Sequence, residues 1–419
     1  MSVLPSRSRS AGRAPFAWAG GVTLLVVLGW LAALPPLIDG ETRRAAAGAQ
    51  LHHGVGYLLA SPICDVMDAL TLLSVRQTIA LILSLIVLYV IARLVLRRRP
   101  SGVARELGLA AVALVGLIAF YAAGVFVPRP MAALVVADSD AVSIDFHSHT
   151  SYSHDARRGF GVAENLAWHR AAGFGVTYIT DHKSFAGAAE GMLTNPARAG
   201  EGLVVLSGIE FVADHDHLNA LGATARDTAW LRTATHDSGV PDPNGVEPVL
   251  LQTIPENLNR VPVPDAAGRH GVLAIELADG APRGIDQAQR DRARILRIAD
   301  SLDLAVVAAS NNHGWGRTAV AWSVMRLPGW RALTPDALGR AIQDRIRTAR
   351  RHAVQVIERR SPDPGRSRLA LAATLPAVTW NLFRTLSPAQ RLSWLAWAWG
   401  IAALVAARTS RRAPTPRGA

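Results

Sequence analysis

Three stretches of this chain leave it little choice of structure. Phe16 to Ile38 and Leu107 to Pro128 carry no charge, and Gln77 to Leu96 carries only Arg93. Each is long enough to cross a bilayer's hydrocarbon core, which takes about 20 helical residues. In lipid every backbone N–H and C=O must be satisfied internally, so such a run has to be helical. Length, absence of charge and Gly/Ala/Leu/Val content favour membrane spans over buried core helices. Two shorter apolar runs, Leu369 to Phe383 and Leu392 to Ala407, close the chain. The former contains Pro376 and Asn381 and reads as re-entrant or interfacial. The first run exceeds the apolar core of a cleavable leader and ends Leu-Pro-Pro-Leu-Ile-Asp, so it reads as an uncleaved anchor.

Arginine placement orients the spans. Arg7, Arg9 and Arg13 precede the first, and Arg97, Arg98, Arg99 and Arg105 separate the second from the third. Positive charge stays in the cytoplasm, so three crossings predict a multi-pass protein of the cell membrane with everything after Val127 outside. Arg408, Arg411 and Arg412 in the tail then require an odd number of later crossings, which conflicts with both terminal runs spanning. Single Cys64 forms no intrachain disulfide. The net charge of +12 is mostly membrane-flanking and surface arginine. No basic cluster is interleaved with stacking aromatics, so no nucleic-acid partner is expected. The spans contain almost no ionisable residue, which argues against a transporter.

Between these apolar regions the pattern changes. Gly175–Thr180, Leu203–Ile209, His217–Leu221, Val249–Ile254, Val272–Leu277 and Leu304–Ala309 read as buried strands. Val162–Ala172, Asp286–Ser301 and Pro335–Ala349 read as amphipathic helices. This alternation predicts an α/β domain with a largely parallel sheet. Asp237 to Gly245 reads as a loop, and Ser361 to Ser367 as the linker back to the membrane. The expected organisation is a cytoplasmic N-terminus (1–15), a membrane region (16–136), a soluble domain (137–362), and a C-terminal membrane region with a basic tail (363–419).

Seven of the 13 histidines, at positions 147, 149, 154, 169, 182, 215 and 217, crowd into one part of that domain. Val142 to Phe146 alternates as a strand does, and His147 and His149 follow two apart, on one side of the chain. His154 follows in a short turn. Other candidate ligands end strands: Asp181 and His182, Glu210, His217, then Asn311 and His313. Side chains from the same end of several parallel strands converge at one mouth. His169 lies within a predicted helix and reads as structural. Lys183 is the sole lysine among 44 basic residues, which suggests a local need for a compact ammonium.

Together these motifs resemble the polymerase and histidinol phosphatase (PHP) family of metal-dependent phosphoesterases, over about Ala141 to Ile357. His147-x-His149 with His154, Asp181-His182, Gly208-Ile209-Glu210, His217 with Leu221-Gly222, and Ser310-Asn311-Asn312-His313 follow the family order. Two departures stand out. The family's closing Asp is Asn311 here, and its His-Pro after an apolar strand is absent; His215 and Asp214 lie nearby as substitutes. The resemblance implies a distorted (β/α)7 barrel and a site for two or three metals; the apolar runs place that barrel between transmembrane helices. His with carboxylate favours Zn, Mn or Fe over Mg or Ca. The implied ligands are His147, His149, His154, His182, Glu210, His217, Asn311 and His313. Lys183 and Arg317 are expected to hold phosphate oxygens. Asp181 is expected to shuttle a proton or orient His182. The expected activity is hydrolysis of a phosphorylated small molecule or envelope compound at the membrane by a metal-activated water. The rivals are a metal- or ligand-binding module without hydrolysis and a metal-dependent hydrolase of a non-phosphate bond.

Overall fold

The structure, a computed structural model, describes residues 14–96, 102–213, 216–232, 248–253, 258, 261, 271–362 and 367–411. The strands are β1 (Leu37–Asp39), β2 (Ala49–His53), β3 (Ala132–Val136), β4 (Ala141–Ser148), β5 (Val176–Ile179), β6 (Val204–Ala213), β7 (Asp216–Leu221), β8 (Val249–Gln252), β9 (Ala274–Asp279), β10 (Ala305–Ala309), β11 (Ala321–Arg326) and β12 (Gln355–Arg359). Ten form one sheet in the order β1-β12-β11-β4-β5-β6-β7-β8-β9-β10, and β2 and β3 pair separately.

From β4 to β10 the sheet curls until its ends meet. Ser148 and Asn312 form a parallel bridge. Asn311 N donates to His147 O at 2.9 Å, and His149 N to Asn312 O at 3.2 Å. The expected parallel sheet is corrected at three strands: β7 runs antiparallel to both β6 and β8, β11 to both β4 and β12, and β1 to β12. Only residues 214 and 215 separate β6 from β7, and a parallel crossover needs a dozen or more. The (β/α)7 repeat is therefore interrupted, and β6–β7 is a hairpin. Asp214 and His215, the Asp237–Gly245 loop and Ile254 lie outside the described residues.

Helices Val162–Ala172 and Pro335–Ala349 match expectation, and Asp286–Ser301 extends to Pro282–Leu302. The reasons are local. Thr334 Oγ1 accepts from Ala337 N at 3.3 Å, capping the Pro335 helix. Leu338, Ile342 and Ile346, four apart, face the core that contains Phe146, Tyr178 and Leu206. Gly173, at φ +84°, ends the Val162 helix in the left-handed conformation, and a Cβ there would collide with the Leu134 backbone.

Helices Val75–Leu96, Val103–Phe126 and Pro388–Arg411 are long and apolar enough to cross a membrane, while the Phe16–Leu31 segment is shorter. The first expected span, Phe16–Ile38, stops at Leu31 because Pro35 and Pro36 cannot continue a helix, and Leu37–Asp39 becomes β1. Leu369–Phe383 is broken into Arg368–Ala372 and Thr374–Thr385. Twelve residues of helix cover about 18 Å, well short of a ~30 Å core.

β1, β2 and β3 join the soluble domain although they precede residue 137. β1 pairs with β12, while Leu37 and Leu134 enter a core with Trp322. Helix Ser61–Thr71 joins the α/β domain to the apolar helices through buried charge. Asp68 meets Arg129 Nη1 at 2.6 Å and Arg359 Nη1 at 2.7 Å, and Asp65 accepts from Gln390 at 2.6 Å and Trp394 at 2.9 Å.

Candidate metal centre

β4 carries His147 and His149 past the curled end of the sheet, and the His147–Asn311 and His149–Asn312 backbone bonds hold both in place. β6 places Glu210 beside them; its backbone N donates to Thr180 O at 3.1 Å, and it bridges to His182. The hairpin returns His217 to Glu210, with Nδ1 2.7 Å from Oε1. The chain after β10 supplies His313.

Six of the expected ligands therefore converge. His147 Nε2 lies 3.0 Å, His149 Nε2 3.1 Å and His182 Nε2 3.3 Å from Glu210 Oε2. Three overlapping trios could each hold an ion: His147, His149 and Glu210; His182, Glu210 and His217; His149, His182 and His313. Within each trio the ligand atoms lie within 4.8 Å of one another.

The histidines' outer nitrogens have partners of their own. His147 Nδ1 meets Glu276 Oε1 at 2.8 Å, His149 Nδ1 meets Ser153 Oγ at 2.9 Å, and His313 Nδ1 donates to Asn311 O at 3.0 Å. A proton on each Nδ1 leaves the Nε2 lone pair facing inward, as metal-ligating histidines are arranged. His147 Nε2 and His149 Nε2 then face each other at 2.9 Å beside one carboxylate oxygen. Three lone-pair-bearing atoms so close repel unless a proton or cation lies among them, so this donor set fits a metal ion.

The electrostatics agree. Burial raises the Glu210 carboxyl, but the His147 charge and bonds from three histidines outweigh it and hold Glu210 well below its ordinary range. Burial also opposes the charge of His147, yet Glu210 and Glu276 hold it well above its ordinary value. The pocket thus demands positive charge between those carboxylates. Burial pushes His149 down to about 3 and lowers His182, keeping both neutral and able to ligate.

Four other expected site residues are placed differently. His154 is exposed, its ring 5.2 Å from that of His182, and belongs to none of the trios. Ser153, drawn in by His149 and by His182 N, turns the next side chain outward; Asp155 instead reaches His313 Nε2 at 3.2 Å and His182 Nε2 at 3.4 Å. Asn311 Nδ2 donates to Asp279 Oδ2 at 3.0 Å while its Oδ1 is buried without a hydrogen-bond partner, and its φ is +44°. Asp181 is held by Thr150, its oxygens accepting from Thr150 N at 2.6 Å and Thr150 Oγ1 at 2.7 Å. Arg317 lies outside the histidine cluster and donates to Phe126 O at 3.4 Å. Lys183 stands exposed on the rim next to His182, at φ +59°. His169 is structural as expected, bonded to Asp145 Oδ2 at 2.8 Å.

Two residues went unread in the sequence, Asp155 and Glu276. Glu276 had a signal: a carboxylate inside an apolar strand must be paired when buried, and it is fully buried. Asp155 lies in a polar turn and had none.

No family model matches the chain, and no curated protein matches it. Three solved structures show low similarity. PsfC from Pseudomonas syringae PB-5123 is 14% identical over 58% of this chain and 98% of its own, with a TM-score of 0.35. A two-domain Bacteroides vulgatus protein, described as containing a PHP-like metal-dependent phosphoesterase, is 12% identical over 52% of this chain and 64% of its own, at 0.31. A Chromobacterium violaceum amidohydrolase, with bound sulfate and no metal, is 16% identical over 46% of this chain and 98% of its own, at 0.28. At such scores the chemistry rests on the residues alone.

Proposed function

We propose that this chain is a membrane-anchored, metal-dependent hydrolase of a phosphate ester, with its catalytic domain outside the cytoplasm. The observation that carries the reading is Glu210, one buried carboxylate ringed by His147, His149, His182 and His217 at 2.7–3.3 Å. Those residues with His313 would hold two or three divalent ions, Zn, Mn or Fe by the chemistry of the donors. When bound, such ions supply a hydroxide at neutral pH and neutralise phosphate oxygens. The chain's own part is orientation. Glu276 and Ser153 keep the Nε2 atoms of His147 and His149 turned inward. Asp181 braces the turn that carries Ser153. Lys183, exposed at the rim, would meet a phosphate oxygen as substrate arrives.

The placement of the apolar helices supports the topology. Residues near Leu31, Val75, Phe126 and Pro388, the ends of four apolar helices, all bond on the domain side. Arg384 Nε donates to Ala32 O at 2.7 Å, Gln77 Nε2 to Pro362 O at 2.6 Å, Arg129 pairs with Asp68, and Gln390 bonds Asp65. With Leu369–Phe383 broken, one crossing follows the domain, which returns Arg408, Arg411 and Arg412 to the cytoplasm. On this reading the tail arginines no longer conflict with the positive-inside rule.

One observation favours a second reading, a binding module without hydrolysis: the neutral Asn311 faces Asp279 and adds no charge to the centre. Turnover of p-nitrophenyl phosphate by the full-length protein in detergent with Mn or Zn separates the two. The hydrolase reading requires turnover that His147→Ala abolishes. Stoichiometric metal without turnover would leave the binding module.

A further inference from the structure

The chain that supplies His313 does not stop at the metal centre. Two residues on, Trp315 is half exposed and packs edge-on against Phe126, with ring centroids 5.8 Å apart. Phe126 is the last residue of the apolar helix Val103–Phe126. Arg317 is bonded to that same residue's carbonyl. A second loop is tied alongside. Arg157 N donates to His313 O and Arg157 Nε to Gly314 O, both at 2.9 Å, and Trp315 Nε1 donates to Asp155 O at 3.5 Å. These two loops also bring Asp155 and His313 to the centre. A cavity of about 120 Å³ has Asn311, His313, Trp315 and Thr318 in its wall.

Scale decides what this means. Two residues span at most about 7 Å, so with the ring contact His313 lies on the order of 10–15 Å from the end of the apolar helix. The interfacial layer adds about 5–7 Å beyond the hydrocarbon on each side, so headgroup phosphates sit near the Trp315 side chain. Tryptophan and arginine are the residues that favour this layer. Among the described residues neither Arg157 nor Arg317 forms a carboxylate ion pair. Burial and the nearby Arg157 and Arg129 charges lower Arg317, so the lip gains from an anion.

We propose, on the reading of the metal centre given above, that the substrate is a phosphate ester carried by a membrane amphiphile, and that Trp315, Arg157 and Arg317 form the lip receiving its headgroup. In the reaction the water oxygen bonds to phosphorus and the ester P–O bond breaks. The lipid oxygen leaves and takes a proton, and phosphate is released.

The test uses full-length protein reconstituted with Mn or Zn in phosphatidylcholine vesicles containing phosphatidic acid, with phosphate release measured beside soluble p-nitrophenyl phosphate. The expected result is faster turnover of the vesicle lipid than of the soluble ester. Trp315→Ala and Arg317→Gln are expected to lower the lipid-to-soluble ratio by roughly tenfold while metal content stays at the parent level. Turnover of the soluble ester alone, or an unchanged ratio in both variants, overturns the lipid assignment and leaves the hydrolase intact. No turnover of either substrate by metal-loaded protein overturns the hydrolase reading, and this one with it.

Discussion

Glu276 is the residue on which the metal centre most quietly depends. Its carboxylate fixes which nitrogen of His147 faces inward, and loss of such a partner costs about 10–100-fold in metal affinity. Glu276→Gln is therefore expected to weaken metal binding by that factor in a chelator competition, with the circular dichroism spectrum unchanged; parent affinity in the variant would leave Glu276 without that role. Asn311 makes an opposite case. An aspartate there suits the PHP pattern, but here it would face Asp279, whose carboxyl burial and the neighbouring Glu276 already push up to about 7. Asn311→Asp is expected to destabilise by about 1–3 kcal/mol in thermal unfolding, with no gain in activity. A more active variant would show that Asn311 is a lost ligand. His147, His149, Glu210 and His217 were legible in the sequence because strand ends place alternate residues together. Glu276 was hidden because its partner lies 129 positions away, and Asp155 because a polar turn residue looks like any other.

At the level of elements, the helix Ser61–Thr71 fastens the α/β domain to the apolar helices. Asp68 within it is buried, which alone would raise its pKa, but Arg359 and Arg129 outweigh burial and hold it below its ordinary 3.8. A depressed folded pKa stabilises above the unfolded value and is lost as pH falls through the folded one. Stability should therefore drop on acidification below about pH 4. Asp65 runs the other way, raised chiefly by burial, and favours the folded state as it protonates. Asp68→Asn strands two arginines and is expected to cost about 3–5 kcal/mol; a smaller pH dependence in that variant would confirm the source, and an unchanged acid midpoint would place it elsewhere. Strand and helix identities were readable because buried strands and amphipathic helices have distinct periods. The direction of β7 was not legible: Leu203–Ile209 and His217–Leu221 left seven residues between them, and only the extension of both strands in the structure shortens the connection to two. β11 and β12 were missed: Ala321–Arg326 and Gln355–Arg359 are short and mixed in polarity, and they become strands through pairing with β4 and β1.

For the whole molecule, the N-terminal apolar region and the α/β domain are not separable at residue 137. β1 covers one edge of the sheet, and β2–β3 cover Ala172 and Phe174 through Leu134. A fragment of residues 137–362 bares the β12 edge, an open template for aggregation. It is expected to be less soluble than a fragment that keeps residues 37–53 and 132–136, as size-exclusion chromatography would report; equal behaviour would make the anchor region dispensable. Topology is testable in the same frame. Reporter fusions at the N-terminus, at residue 99 and at the C-terminus should all read cytoplasmic, and any external reading among them would break the four-helix arrangement. Function at this site depends on the four histidines around Glu210, with His313, holding metal. Elemental mass spectrometry of the gently purified full-length protein tests it most directly, beside a His147→Ala/His149→Ala variant. Two or more Zn, Mn or Fe ions per chain, lost in the variant, is the expected result. No transition metal in the parent, even after incubation with Mn or Zn, would contradict the account.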